Sequence, residues 1–228
     1  MPSYLADYLD VLPAPIAGMT DAVLIVEEAR FPVHSAMLAA NSAVFDDLFC
    51  AEEQHEIILE IPLPGDQASN VHTALKYIYA GYPLRRCREC ATESFPRIKS
   101  TDDAKAVITF AHKYTCTSLL EACEAYLVGL AQKDMSGDPV DQYHLFSSNQ
   151  AILFWAELAE ACEMDTLLAH CELSMIRDRD ELLWHHPALT TGKISRSCLL
   201  RMLRASHLAM QRIKVDIATL KSGKKVLP

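Results

Sequence analysis

Few residues in this chain could support chemistry, and those few are poorly grouped. Cys87-Arg88-Glu89-Cys90 can offer two thiolates to a zinc ion. A structural zinc site takes four ligands, and no second pair follows at a matching spacing. Cys50 and His55 are the conceivable partners. A thioredoxin-like role needs a βαβ frame around the motif, and none surrounds it. His55-Glu56 is followed by Ile57-Ile58-Leu59, so no second imidazole stands one helical turn on, as a zinc protease requires. His185-His186 before Pro187 reads as a helix terminus or loop feature. Glu52-Glu53 lacks the apolar surroundings that would raise one carboxyl for acid–base work. No G-x-S-x-G elbow occurs. The seven glycines, at 18, 65, 81, 129, 137, 192 and 223, stand alone, so no phosphate-cradling loop can be assembled from them. Neither a catalytic constellation nor a cofactor or metal site is expected. His34 is expected as a hydrogen-bonded core histidine, and Trp155 and Trp184 as core residues.

The elements that must position these residues form a chain of 228, enough for one large domain or two small ones. Half the residues are apolar and 22% are charged, the balance of a protein with a sizeable core. The longest stretches without Asp, Glu, Lys or Arg are 31–45 and 142–156, too short and too polar for a membrane span. No positively charged segment precedes an apolar one at the N-terminus, so no secretory signal is expected. Eight cysteines in such a chain fit a reducing compartment, the cytosol or nucleus. Net charge is −9 but unevenly spread: residues 1–192 hold 12 basic and 29 acidic groups, residues 193–228 hold nine and one. An acidic body argues against nucleic acid. The basic end is expected to dock on it as an amphipathic helix.

Ser3 can cap a short helix carrying Tyr4, Leu5, Tyr8, Leu9 and Leu12, ended by Pro13 and Pro15. A strand at 23–26, a turn at 28–30 and a strand at 31–34 make a hairpin. Helices follow at 35–40 and 42–49, then a third strand at 57–61 with Ile57, Leu59 and Ile61 on one face. Asp66 is placed to cap a helix with Ala68, Val71, Leu75 and Ile78 on its apolar stripe. Residues 82–100 read as a polar loop, and helices resume at Thr101. Residues 133–149 read as a linker, after which the chain is helical in at least three pieces. The sequence echoes itself at an offset of 48: Ala111 and Ala159, Leu119-Leu120 and Leu167-Leu168, Cys123-Glu124 and Cys171-Glu172. A duplicated helical hairpin and two independent solutions of one packing problem both fit this echo.

From Asp21 the sequence resembles a BTB/POZ domain. The residues that carry the likeness are Asp21 and Val23, Phe31-Pro32-Val33-His34, Leu38, Ser42-Ala43-Val44-Phe45 and Ile61-Pro62-Leu63. It continues in Tyr77-Ile78-Tyr79-Ala80-Gly81 and in Ala111-His112-Lys113-Tyr114, followed by Leu119, Cys123-Glu124 and Leu127. All fall in the family's order over about 19–130. The helices after 150 resemble the BACK-type extension that often follows this domain. The fold implied is α+β, a small mixed sheet covered by helices, followed by an all-helical extension. The implied layout is an N-terminal helix at 1–18 as a candidate dimerisation arm, a BTB/POZ domain at 19–131, a BACK-like region at 150–221 and a tail at 222–228. Ser35 stands where family members often carry a basic residue, so Asp21 lacks that partner. The loop at 82–100 is longer than usual.

The resemblance implies an interaction module: a homodimer serving as substrate adaptor of a cullin–RING ubiquitin ligase. Tyr4, Leu5, Tyr8, Leu9 and Leu12 are then the dimer residues. Phe49, Glu52 and Glu53 are the candidates for cullin contact, although Phe49-Cys50-Ala51 lacks the Glu in third place that cullin-binding relatives carry. Residues 31–75 hold seven acids and no Lys or Arg, a single-sign surface suited to a specific partner. No kelch, MATH or ankyrin repeat and no zinc-finger array accompanies them to read a protein substrate. The alternative is a self-associating scaffold or a nuclear, transcription-associated regulator that binds no cullin. Its support is the basic end, where Arg201, Arg204 and Arg212 share a helical face apart from Leu199, Leu203, Met210 and Ile213.

Overall fold

A computed structural model describes residues 7–10, 12, 14–51, 58–80, 98–136, 145–178, 200–201 and 203–204. The chain divides into two compact units, Met1–Leu127 and Val128–Pro228.

The first unit opens with a single 3-10 turn, Asp7–Leu9, and a short helix α1, Ala14–Ala17. The sequence predicts one helix stopped by Pro13 and Pro15. Instead Pro15 sits inside α1, because a first-turn proline gives up an N–H that has no intrahelical partner anyway.

Strands β1 (Ala22–Val26) and β2 (Ala29–Val33) pair antiparallel, from Ala22↔Val33 to Val26↔Ala29. The turn is therefore Glu27-Glu28, tighter and earlier than expected, with Glu27 at φ +55°. A two-residue hairpin needs that left-handed conformation to match strand twist, and here a glutamate supplies it without glycine. Strand β3 (Leu59–Pro62) lies parallel to β1, giving the order β2-β1-β3. This is the expected small mixed sheet, with its third strand starting two residues late.

Helices α2 (Ser35–Ala39), α3 (Ala43–Ala51), α4 (Ala68–Ala80) and α5 (Thr101–Lys113) accompany the sheet. Leu24, Phe31, Leu38, Phe45, Leu75, Ile78, Tyr79, Ile108 and Phe110 are fully buried core. The Ser42-x-x-Phe45 spacing has a direct physical reason. Ser42 Oγ accepts from the Phe45 N–H at 3.0 Å, capping α3, and donates to the Tyr114 carbonyl. Phe45 then stacks on Tyr114 at 4.6 Å and packs against Phe110 at 5.9 Å. One short motif thus ties α3 to the end of α5.

Asp66 does not cap α4. Its Oδ2 accepts from Lys113 Nζ at 2.6 Å and from the Tyr114 hydroxyl, so charge-assisted bonds from the end of α5 take the carboxylate. The carboxylate that reaches the start of α4 is Glu27, 3.5 Å from the Ala68 nitrogen.

Helix α6 (Thr117–Ser136) takes in the first four residues of the stretch expected to be linker. The second unit adds α7 (Asn149–Ala161) and α8 (Asp165–Asp178), packed on one another. The echo at 48 residues is matched in geometry. Ser100 and Ser148 cap α5 and α7, their side chains accepting from Asp103 and Ala151 N–H respectively. Both helices are 13 residues long and end in nearly the same backbone conformation, at Tyr114 and Cys162. Thr115 and Glu163 are left-handed, at φ +52° and +56°. The next N–H, of Cys116 or Met164, reaches back to Ala111 O at 2.7 Å or Ala159 O at 2.8 Å. This is a Schellman ending, built twice without glycine. Leu119, Cys123 and Leu127 after the first corner are buried, as are Leu167, Cys171 and Met175 after the second.

Candidate interaction surfaces

The N-terminal apolar residues lie against the body of their own chain. Tyr8, Leu9 and Leu12 are buried, while Tyr4 and Leu5 lie outside the described residues. The Tyr8 hydroxyl donates to Pro32 O at 2.8 Å, and its ring meets Tyr79 at 5.2 Å and Phe31 at 6.5 Å. Proline cannot donate to a ladder, but its carbonyl still accepts, and Tyr8 uses it. Burial pushes the Tyr8 phenol well above its usual range, so it stays a donor. Asp7 locks the turn onto α4: Oδ1 accepts from His72 Nε2 at 2.6 Å, and Oδ2 lies 2.7 Å from Lys76 Nζ.

His34 is a hydrogen-bonded core residue, as expected. Nε2 donates to Ile16 O at 2.7 Å, because a carbonyl can only accept. Nδ1, 3.0 Å from the Tyr79 hydroxyl, is then its acceptor, and the same hydroxyl receives the His34 backbone N–H at 2.9 Å. The residue fastens α1 to the end of β2. Asp21, without the family's basic partner, accepts instead from Ser35 N–H at 2.7 Å and from Ser35 Oγ at 2.6 Å. Its carboxylate therefore holds the start of α2.

Helix α3 carries two adjacent acids. Asp46 and Asp47 are exposed, and Phe49 is half-buried, stacked on Phe45 at 6.0 Å. Glu52 and Glu53 lie outside the described residues, as do Cys87, Cys90 and His55. Asp46 and Asp47 were available in the sequence as two adjacent acids on the outer face of a capped helix.

A second surface escaped sequence reasoning. Register Ala22↔Leu59 brings Ile58 and the residues just before β1 to one end of the sheet. The bond from His34 to Ile16 O brings α1 to the same end. Ile16, Met19 and Ile58 are all exposed there, Met19 by 71%. The signal was present in the uncharged stretch 11–20, which no amphipathic period explains.

The buried thiols offer no chemistry. Burial pushes Cys116 and Cys123 up to about 12, so both remain protonated. Among the described residues no group of His, Cys, Asp and Glu could hold a metal ion. Among the same residues no helix is long and apolar enough to cross a membrane.

Residues 17–130, half of the chain, match the family profile described as BTB/POZ domain. The chain belongs to the BTB/POZ family. It is 28% identical over 108 residues to Kelch-like protein 24a of Danio rerio, covering 47% of this chain and 16% of that protein. It is 32% identical over 116 residues to Kelch-like protein 35 of Mus musculus, 49% and 18% of the two chains. BTB/POZ domain-containing protein 9 of Bos taurus is 32% identical over 114 residues, 47% and 16%. The matched region spans less than a fifth of these relatives. A solved structure, the BTB domain of zebrafish PATZ1, is 22% identical, with 46% of this chain and 73% of that chain covered at a TM-score of 0.34. The BTB domain is a protein-interaction module, and its α+β fold is the one described above. The family residues now have physical roles: His34 and Tyr79 close the sheet end, and Ser42, Phe45 and Tyr114 join α3 to α5.

Proposed function

We propose that this chain is a self-associating adaptor that links a protein substrate to a cullin-based ubiquitin ligase. The observation that carries this reading is the outer face of α3 on a BTB domain. There an exposed carboxylate, Asp46, stands three residues before a half-exposed aromatic, Phe49, with Asp47 also exposed, in a stretch of 45 residues without a Lys or Arg. An aromatic anchor beside charge of one sign suits a basic partner face. Glu52 and Glu53 continue the same charge in the sequence.

Self-association belongs to the same reading. Tyr8, Leu9 and Leu12 already fill a groove of their own chain, so a dimer through this arm, with Tyr4 and Leu5, forms by exchange. Each arm then makes on the partner the contacts it makes in cis, at little net cost. The exposed end with Ile16, Met19 and Ile58 gives the two copies an apolar place to meet. The helices after 150 are the proposed BACK-like extension and the surface left for a substrate.

The test is titration of the full chain with a cullin N-terminal region. Binding is expected, and Asp46→Lys with Asp47→Lys should slow association and change its salt dependence rather than alter the fold. No binding at tens of micromolar leaves a self-associating scaffold and removes the ligase reading.

A further inference from the structure

The two helix corners differ where they meet solvent. Forty-eight residues after Ala106 and Ala125 stand Phe154 and Leu173, 44% and 49% exposed. Helices α7 and α8 pack on each other across a three-residue corner, so they run antiparallel. Phe154 precedes that corner by eight residues and Leu173 follows Met164 by nine, which puts both at about 12–14 Å from it at 1.5 Å per residue. The second hairpin has thus gained large apolar groups at positions where the first carries alanine. Glu157, three residues after Phe154 on α7, is an exposed acid.

Something already sits beside Leu173. Arg201 Nε donates to Glu172 Oε1 at 2.9 Å, and the Glu172 side chain is only 13% exposed. The chain therefore returns to α8 at its basic end. After Arg204, 24 residues remain, with five Lys or Arg against one Asp. On a helix, Arg201 shares its face with Ala205, Leu208 and Arg212, which couples small and apolar groups to positive charge. That face complements Leu173 beside the Glu172 carboxylate.

We propose that residues 199–221 are the occupant of the outer side of α8 at Leu173, held in cis by Arg201 on Glu172. The segment caps the second hairpin as a following repeat would, and the uneven charge of the chain becomes an internal contact rather than a nucleic-acid tail.

Hydrogen exchange of the full chain, read by mass spectrometry, tests this. Peptides within 165–178 and 199–213 should both be protected, at the same level on dilution from tens of micromolar to below one. Glu172→Lys and Arg201→Glu should each speed exchange of both regions by about tenfold, and the double variant should restore it, with α4 unchanged as the folding control. Leu173→Ser, at an exposed position that folding tolerates, should also speed exchange in 199–213. An unprotected 199–213 in the unmodified chain overturns the proposal, as does unchanged exchange in Glu172→Lys and Leu173→Ser. Protection that fades on dilution assigns the face to a second copy and overturns it equally.

Discussion

Tyr8 holds the N-terminal segment on the body by both its ring and its hydroxyl. Its ring buries against Phe31 and Tyr79, and its hydroxyl satisfies a carbonyl on β2. Tyr8→Phe should cost about 1 kcal/mol, the worth of one hydrogen bond plus an unpaired acceptor. Tyr8→Ala should cost about 3–5 kcal/mol, measured by urea unfolding, because a large buried ring is lost. Equal costs for the two variants would mean that the ring contributes little. Asp7 adds a pH-dependent element. Burial alone would push its carboxyl up, but hydrogen bonds from Lys76 and His72, and their charges, outweigh it and hold the group below its ordinary 3.8. A lowered folded value means stability present above pH 3.8 and lost as pH falls through the folded value. The group is partly exposed, so the contribution is less than about 1 kcal/mol. Asp7→Asn should flatten the acid limb of the stability curve below pH 4, and an unchanged limb contradicts the role assigned to the carboxylate. Ser42→Ala removes a helix cap and leaves the Tyr114 carbonyl without its hydroxyl donor, for an expected loss of about 2–3 kcal/mol in the same assay.

At the scale of elements, the repeated corner is the feature that local chemistry can improve. Thr115 and Glu163 hold left-handed conformations that glycine adopts without steric penalty. Thr115→Gly and Glu163→Gly should each raise stability by about 0.5–1 kcal/mol in thermal unfolding, the relieved strain exceeding the added chain entropy. A loss at either position would mean that its side chain makes a contact worth more than the strain. The elements most legible in the sequence were those with strong periodicity: the hairpin, the α4 stripe of Val71, Leu75 and Ile78, and the helix starting at Thr101. Those misread were governed by tertiary partners. Asp66 looks like a cap until Lys113 and Tyr114, 47 and 48 residues away, claim its carboxylate. Pro15 looks like a stop until the chain begins a helix around it. The echo at 48 residues was visible as five identities, and the capping serines Ser100 and Ser148 are a further identity at the same offset; the left-handed residues Thr115 and Glu163 were not visible, because that position keeps a conformation rather than a residue type. For the surface, Phe49 was legible as an aromatic at the end of α3. The exposed cluster of Ile16, Met19 and Ile58 was not, because parallel pairing of β3 with β1 brings together residues some forty positions apart.

The whole molecule joins an acidic BTB domain, which is an interaction module, to a second unit with helices α7 and α8 and a basic end. Two copies of a chain with net charge −9 repel, so they should meet through apolar surface, around Ile16 and Met19, while the acidic face of α3 remains open to a basic partner. Met19→Glu at that exposed position should shift the chain toward monomer without lowering its melting temperature. A dimer of unchanged strength would move the interface elsewhere. The most direct measurement is sedimentation velocity of the full chain at micromolar concentration, alone and with a cullin N-terminal region. The account predicts a species of twice 25.4 kDa alone, and a larger complex containing both proteins when the cullin region is added. A single species of 25.4 kDa that does not change on that addition would contradict it.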